Sequence, residues 1–200
     1  MQVGGNQGDR LVALARAGDG EALRALWADN RRWIAAVIMA HKPSRAEVDD
    51  ILQEVAATLC QKIGDVSDEG AFRGWLRMVA VNAARLAGRK QEVRLRHTAQ
   101  HAAMHGDNTH SGAMPTSSGV VPGQLSEEAH RILDAARSLP EEYSEPLLLR
   151  AVRGMSYRAI GQIMGLPETT IETRIARARR MLRENLERQQ AAALTAARLR

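Results

Sequence analysis

Ser156-Tyr-Arg-Ala-Ile-Gly-Gln-Ile-Met-Gly165-Leu-Pro-Glu-Thr-Thr-Ile-Glu-Thr-Arg-Ile-Ala-Arg177 is the stretch on which the reading of this chain turns. Ser156 has the chemistry of a helix N-cap, and Tyr157, Ile160, Ile163 and Met164 follow at the spacing of a short helix's buried side. Gly165 then fits a tight left-handed turn. Leu166 plugs the corner, Pro167 opens a second helix, and Ile171 and Ile175 face inward. A short helix, a glycine turn and a second helix make the helix-turn-helix pattern. Its second helix exposes Glu168, Thr169, Thr170, Glu172, Thr173 and Arg174 near its N-terminal end, where this motif reads a DNA groove. Arg177, Arg179, Arg180 and Arg183 continue it with charge suited to phosphates. An ordinary helical hairpin with a basic exterior shares the apolar spacing. The coincidence of cap, glycine turn and basic extension favours DNA contact.

The rest of the 200 residues is consistent with helices throughout. Only 3% of residues are aromatic, which argues against a sandwich or barrel. Ala, Leu and Arg dominate, and all three favour helix. The single cysteine, Cys60, excludes an internal disulfide framework and a cysteine-rich zinc site. No apolar run approaches the roughly 18 residues of a membrane span, and Met1–Asp9 has no apolar signal core. The chain therefore reads as soluble and cytoplasmic, with no membrane partner.

Residues 97–125 stand apart, with four glycines, two prolines and interspersed serines. They read as a flexible linker. The predicted organisation is all-α: a helical bundle over 9–92, a linker over 93–125, a helix-turn-helix domain over 126–188 and a tail over 189–200. The tail extends the last helix. The net charge of +5 is unevenly spread. His41–Gly70 holds three basic and seven acidic residues, Ala71–Gln100 seven basic and one acidic, and Arg150–Arg188 nine basic and four acidic. Separate charge blocks suggest separate surfaces for separate partners.

In the N-terminal block, Asp19 is a predicted N-cap, and Leu23, Leu26, Trp27, Trp33, Ile34, Val37 and Ile38 form the apolar stripe behind it. Lys42-Pro43 stops that helix. Ser44-Arg-Ala-Glu47 has the form of a capping box. Beyond it Val48, Ile51, Leu52, Val55, Leu59 and Ile63 share one face, with Glu47, Asp50 and Glu54 opposite and Asp49 and Gln53 beside them. Acids in the first turn complement the helix dipole, which accounts for Glu47 and Asp50 better than for Glu54. Asp65–Gly70 reads as a loop. The next helix has a predicted buried stripe of Phe72, Trp75, Leu76, Val79, Ala83 and Leu86. Asn82, Arg85 and Arg89 fall within about 60° of one another at its edge, a row that can lie along a phosphate backbone and reach base edges. Leu139-Pro-Glu-Glu142 reads as a helix start, which Pro146 kinks or delays, with Leu147, Leu148 and Leu149 as core and Gly154 as terminator.

Six segments together carry a family resemblance: Glu47-Val-Asp-Asp-Ile-Leu-Gln-Glu-Val55, Ala71-Phe-Arg-Gly-Trp-Leu-Arg-Met-Val-Ala-Val-Asn82, Leu139-Pro-Glu-Glu-Tyr143, Gly154-Met-Ser-Tyr-Arg-Ala-Ile160, Met164-Gly-Leu-Pro-Glu-Thr-Thr-Ile171 and Arg174-Ile-Ala-Arg-Ala-Arg179. In this order the chain resembles the extracytoplasmic-function group of the bacterial sigma-70 family. The resemblance implies a specificity subunit that binds core RNA polymerase, through its β′ and β subunits, and promoter DNA. It assigns Asp49, Asp50, Gln53 and Glu54 to the coiled coil of β′. It assigns Asn82, Arg85, Arg89 and Lys90 to the −10 element, with the Asp65–Gly70 loop holding an extruded base. It assigns Glu168, Thr169, Thr170, Glu172, Thr173, Arg174 and Arg177 to the −35 element. It places the linker near the RNA exit path and admits an anti-sigma partner.

Three departures bear on contacts. Leu86 stands where the family often has Asp. Glu172 stands where it usually has a basic residue, and an acid there can accept from cytosine N4. Ala159 removes the acid of a capping box after Ser156.

No nucleophile–base pair, glycine-rich phosphate loop or carboxylate dyad at helix spacing appears, so no chemistry and no cofactor is expected of the chain itself. His97, His101 and His105 share a helical face, with His110 beyond. His97 and His105 would stand about 12 Å apart on a straight helix, too far for one mononuclear site, so they read as soluble linker histidines; the alternative is a linker that senses pH or binds a metal such as zinc or nickel, with Asp107 as a further candidate ligand. The competing functional reading is a stand-alone helix-turn-helix regulator with an N-terminal dimerisation or sensing domain. The acidic Asp49–Glu54 face discriminates, because only a polymerase subunit needs it.

Overall fold

The computed structural model describes residues 5–43, 46–66, 69–104 and 126–198. Among these, every regular element is helical: α1 (Gly5–Arg16), α2 (Gly20–His41), α3 (Val48–Lys62), α4 (Phe72–Met104), α5 (Glu127–Arg137), α6 (Glu141–Arg153), α7 (Tyr157–Met164) and α8 (Glu168–Arg198). Two short 3-10 turns, Ile63–Asp65 and Glu69–Ala71, join α3 to α4.

The centre of the fold is α2. The Asp19 carboxylate accepts from the Glu21 and Ala22 amides, satisfying two of the free donors at the helix start. Trp33, Ile34, Ala36, Val37 and Ile38 are all buried. Helices α1, α3, α4 and α6 pack around it. Asn30 is buried there too, but its amide donates to Leu26 O at 2.7 Å and its oxygen accepts from Trp33 Nε1 at 2.7 Å, so no polar atom is stranded.

Helix α3 buries Ile51, Leu52, Val55 and Leu59 as its spacing predicts. Its start differs. Glu47 itself occupies the N-cap, without a side-chain cap bond, so it is not the third residue of a capping box. The Ala46 amide bonds Pro43 O at 3.2 Å and Lys42 Nζ donates to Ala46 O at 2.6 Å. Ser44 lies outside the described residues.

Helix α4 is rotated from the predicted stripe. Phe72, Leu76, Ala80, Val81 and Ala84 are buried, Trp75, Val79 and Ala83 are half-buried, and Leu86 is 40% exposed. Alanines at 80 and 84 let α4 approach its neighbours closely, whereas a reading weighted to large side chains selects the adjacent row. The helix also runs to Met104, well into the predicted linker, because no Gly or Pro interrupts residues 93–104. Residues 105–125, with His105 and His110, lie outside the described residues, as do the side chains of His97 and His101.

The C-terminal elements match the local chemistry closely. Ser126 Oγ caps α5 by accepting from Ala129 N at 3.2 Å. Pro140 stands at the N-cap of α6, and Pro146 sits inside that helix without delaying its start. Gly154 ends α6 in the left-handed region. Leu147, Leu148 and Leu149 are buried together with Ile160, Ile163, Ile171, Ile175 and Ala178. These residues and the core around α2 form one continuous apolar cluster, with α6 lying against α2 and α7 against α4.

Candidate protein and nucleic-acid interfaces

The helix-turn-helix positions α8. Ser156 Oγ accepts from Ala159 N at 3.2 Å at the start of α7. Gly165 closes that helix at φ 67°, a conformation costly for any residue with a Cβ. Leu166 N then donates to Gly161 O at 2.9 Å. Gly161 is needed for a different reason: a Cβ there would meet Leu166 O at 2.6 Å. The turn fixes the start of α8 so that Ile171, Ile175 and Ala178 are buried. Glu168, Thr169, Glu172, Thr173 and Arg177 point to solvent, and Thr170 and Arg174 are half-buried. An open cleft of about 370 Å³ runs between this face and Glu142 and Tyr143 of α6, with Thr169, Thr173 and Arg177 on its α8 side. Five of the seven residues predicted on this helix, Thr169, Thr170, Thr173, Arg174 and Arg177, line this cleft, while Glu168 and Glu172 are exposed outside it.

On α3, Asp50, Gln53 and Glu54 are exposed and Asp49 is half-buried, opposite the core face. On α4, Asn82, Arg85, Arg89 and Lys90 are exposed. The two faces touch: Lys90 Nζ donates to Glu54 Oε1 at 3.1 Å. Both side chains are about half exposed, so the pair is worth little. Of the Asp65–Gly70 loop, residues 67 and 68 lie outside the described residues.

A charged cluster that the sequence did not single out lies where α6 meets α2 and α4. Glu145 is almost fully enclosed, its side chain 1% exposed. It accepts from Arg77 Nε at 2.5 Å, from Arg77 Nη2 at 2.7 Å and from His41 Nε2 at 2.8 Å. One turn earlier, Glu141 Oε2 accepts from Arg85 Nη2 at 2.7 Å and lies 3.1 Å from His41 Nδ1, without the alignment of a hydrogen bond. Burial pushes the Glu145 carboxyl up, but the bonds from His41 and Arg77 outweigh it and hold it below the usual carboxylate range. Glu141 is likewise held low: burial opposes ionisation, and the Arg85 bond and the His41 and Arg85 charges overcome it. Arg77 is raised, chiefly by its bond to Glu145. Nearby, Lys42 is lowered to about 8 by burial and by the Arg137 charge. The signal for Glu145 was an acid set one residue before Pro146 and the buried leucines, on a helix whose first turn already had its acids.

The sign of the Glu145 shift gives a pH prediction. A carboxyl depressed in the folded chain, against about 4.3 when unfolded, stabilises fully above that value. The contribution is lost as pH falls through the folded value. The thermal midpoint is expected to drop between pH 6 and pH 3, and by less in Glu145→Gln. Equal drops in the two proteins would reject the assignment.

Comparison with known proteins agrees with this arrangement. Residues 26–93 match Sigma-70 region 2, and residues 129–182 match Sigma-70, region 4. The first match contains the α3 and α4 faces and the second contains the helix-turn-helix. The chain belongs to the sigma-70 family of transcription-initiation factors. Its relatives place it in the extracytoplasmic-function group. The ECF RNA polymerase sigma-E factor of Escherichia coli strain K12 is 30% identical over 175 residues, covering 84% of this chain and 88% of that one. The ECF RNA polymerase sigma-E factor of Haemophilus influenzae is 29% identical over 185 residues, covering 88% and 94%. The solved structure of CnrH in complex with the cytosolic domain of CnrY shares the fold, with a TM-score of 0.58 and 24% identity over 90% of this chain and 96% of that one. The region 2 match sets aside the stand-alone regulator. Among the described residues, no helix is long and apolar enough to cross a membrane.

Proposed function

We propose that the chain divides its work among three helix faces. The exposed acids and amide of α3 (Asp49, Asp50, Gln53 and Glu54) dock on the β′ coiled coil of core RNA polymerase. Asn82, Arg85, Arg89 and Lys90 of α4 engage the −10 element. The first three turns of α8, from Glu168 to Arg177, enter the major groove of the −35 element. Residues 9–92 and 126–188 are the working domains. The segment over 93–125 connects them, its first part as an extension of α4, and 189–200 is a tail whose described part, to Arg198, belongs to α8. Catalysis belongs to the polymerase, and the protein acts in the cytoplasm as a specificity subunit without a cofactor. An anti-sigma protein is the further partner the family admits.

The observation that carries this reading is the placement of α8. A fixed glycine turn and the buried Ile171, Ile175 and Ala178 leave Glu168, Thr169, Glu172, Thr173 and Arg177 exposed at the start of α8, which supports groove entry. The test adds purified protein to core polymerase and genomic DNA and sequences the run-off transcripts. New start sites preceded by a shared pair of elements are expected. Unchanged starts and no binding to core would reject the proposal.

A further inference from the structure

We infer that Glu172 is a specificity-determining residue of α8, selecting cytosine at one position of the −35 element and excluding guanine and thymine there. The inference rests on the role proposed above for α8 and goes beyond it by naming the base.

Nothing within the fold employs the Glu172 carboxylate. Ile171, Ile175 and Ala178 are buried, while Thr169, Glu172, Thr173 and Ala176 are exposed on the other side of α8. An acid on a helix surface is stabilised by a cation three or four residues away, as Glu184 is by Arg180 further along α8. The residues at those distances from Glu172 are Glu168, Thr169, Ile175 and Ala176, none of them basic. Among the described residues, Glu172 accordingly forms no ion pair and no hydrogen bond through its side chain. Glu168 stands in the first turn, where a negative charge complements the helix dipole. Glu172 lies one turn further in, where that effect has faded. Its charge also opposes the rest of the helix, since Arg174, Arg177, Arg179, Arg180 and Arg183 follow it. An acid on a face turned toward phosphates weakens binding to every sequence alike. A donor on a base edge offsets that penalty, and only at sites that supply one, which is discrimination by exclusion.

The donor that fits is cytosine N4. In the major groove guanine presents two acceptors, N7 and O6, and thymine presents the acceptor O4. Both repel a carboxylate, which only accepts. Adenine offers its N6 amino group, but N7 beside it opposes the second carboxylate oxygen. Cytosine offers the N4 amino group with no acceptor of its own next to it in the groove. Thr173 adds to the same bias. Its Oγ1 donates to Thr169 O at 2.9 Å, so the hydroxyl proton is committed to the helix and the oxygen is left as an acceptor. Glu172 and Thr173 together present acceptors only, and Ala176, one turn beyond Glu172, brings no competing donor.

The test uses the full chain assembled with core polymerase. Start sites on genomic DNA first supply a promoter. Its −35 element is then made with each of the four bases at every position, and holoenzyme affinity is measured for each duplex at fixed salt. In the parent, one position is expected to favour cytosine over guanine and thymine by at least about fivefold, the discrimination of one good base contact. Glu172→Gln should move the preference at that position to adenine, whose N6 and N7 match the donor and acceptor of an amide. Glu172→Ala should bring the four bases to within about twofold there by strengthening the guanine and thymine duplexes. Preferences at the other positions should stay as in the parent. Because the side chain has no partner in the fold, the thermal midpoint of both variants should stay within about two degrees of the parent. A parent with no such position, or a cytosine preference that survives in both variants, would overturn the inference. So would tightening by Glu172→Ala that is equal for all four bases, which would make Glu172 a repeller of phosphate and nothing more. No new start sites and no core binding by the parent would instead reject the proposed function itself, and this inference with it.

Discussion

Asp50→Lys combined with Glu54→Lys is expected to raise the dissociation constant for core RNA polymerase by more than about a hundredfold. Two exposed acids become two cations against a surface that must be complementary to them, and close like-charge contacts at an interface cost several kcal/mol. A hundredfold corresponds to about 2.8 kcal/mol, well within that range. The fold should tolerate the change. Both side chains lie away from Ile51, Leu52, Val55 and Leu59, and the Glu54–Lys90 pair that is lost is half exposed. Losing the Asp50 charge from the first turn of α3 costs about 0.3–1 kcal/mol through the helix dipole. The thermal midpoint should therefore move by only a few degrees while core binding, measured by surface capture or gel shift, disappears. Retained binding would reject the α3 assignment.

Gly161→Ala is expected to damage the −35 reader selectively. The new methyl would sit 2.6 Å from Leu166 O, and that oxygen is backbone within the turn, not the movable end of a side chain. The turn must open, shifting α8 against α7 and weakening the Leu166 N bond to Gly161 O. Overpacking of this kind costs about 1–3 kcal/mol, which for a chain of this size lowers the melting midpoint by several degrees. Because base contacts are lost with small displacements, affinity for a −35 duplex should fall by about tenfold or more. Binding to core through α3 should be nearly unchanged, since the two sites share no side chain. A variant with parent stability and parent duplex affinity would show that the turn has slack the geometry does not indicate.

Local chemistry was the legible part of this chain. Ser156, Gly165, Asp19 and Gly154 act on neighbours within a few residues, so their types alone announce caps and turns. Apolar spacing placed Ile51, Val55, Leu59, Ile171 and Ile175 correctly because each helix has a single dominant buried face. It misplaced Leu86 because the true contact row of α4 is built on the small residues Ala80 and Ala84, which a size-weighted pattern overlooks. Helix α4 runs past the start of the predicted linker, because a shift in composition toward glycine and proline is not itself a break in structure. The helix-breaking residues themselves start only at Gly106.

The pairing within the interdomain cluster was not legible, even though the position of Glu145 before Pro146 and the buried leucines marks it as unusual. Glu141 looked like an ordinary first-turn acid, while Arg77 looked like one basic residue among several. Their association depends on partners 68 residues apart for Arg77 and Glu145, and 104 apart for His41 and Glu145. No local pattern encodes such distances. The three exposed faces were found because surface chemistry follows from a helix's own periodicity, whereas the surface that closes on itself follows from the tertiary fold.

Site-specific photo-crosslinking in a reconstituted promoter complex tests the division of labour most directly. A photoreactive residue is placed in turn at Gln53, Arg89 and Thr173, all exposed positions on α3, α4 and α8. The account predicts that position 53 links to the β′ subunit, position 89 to DNA around the −10 element and position 173 to DNA around the −35 element. Links from position 53 to DNA, or from position 173 to polymerase alone, would contradict it.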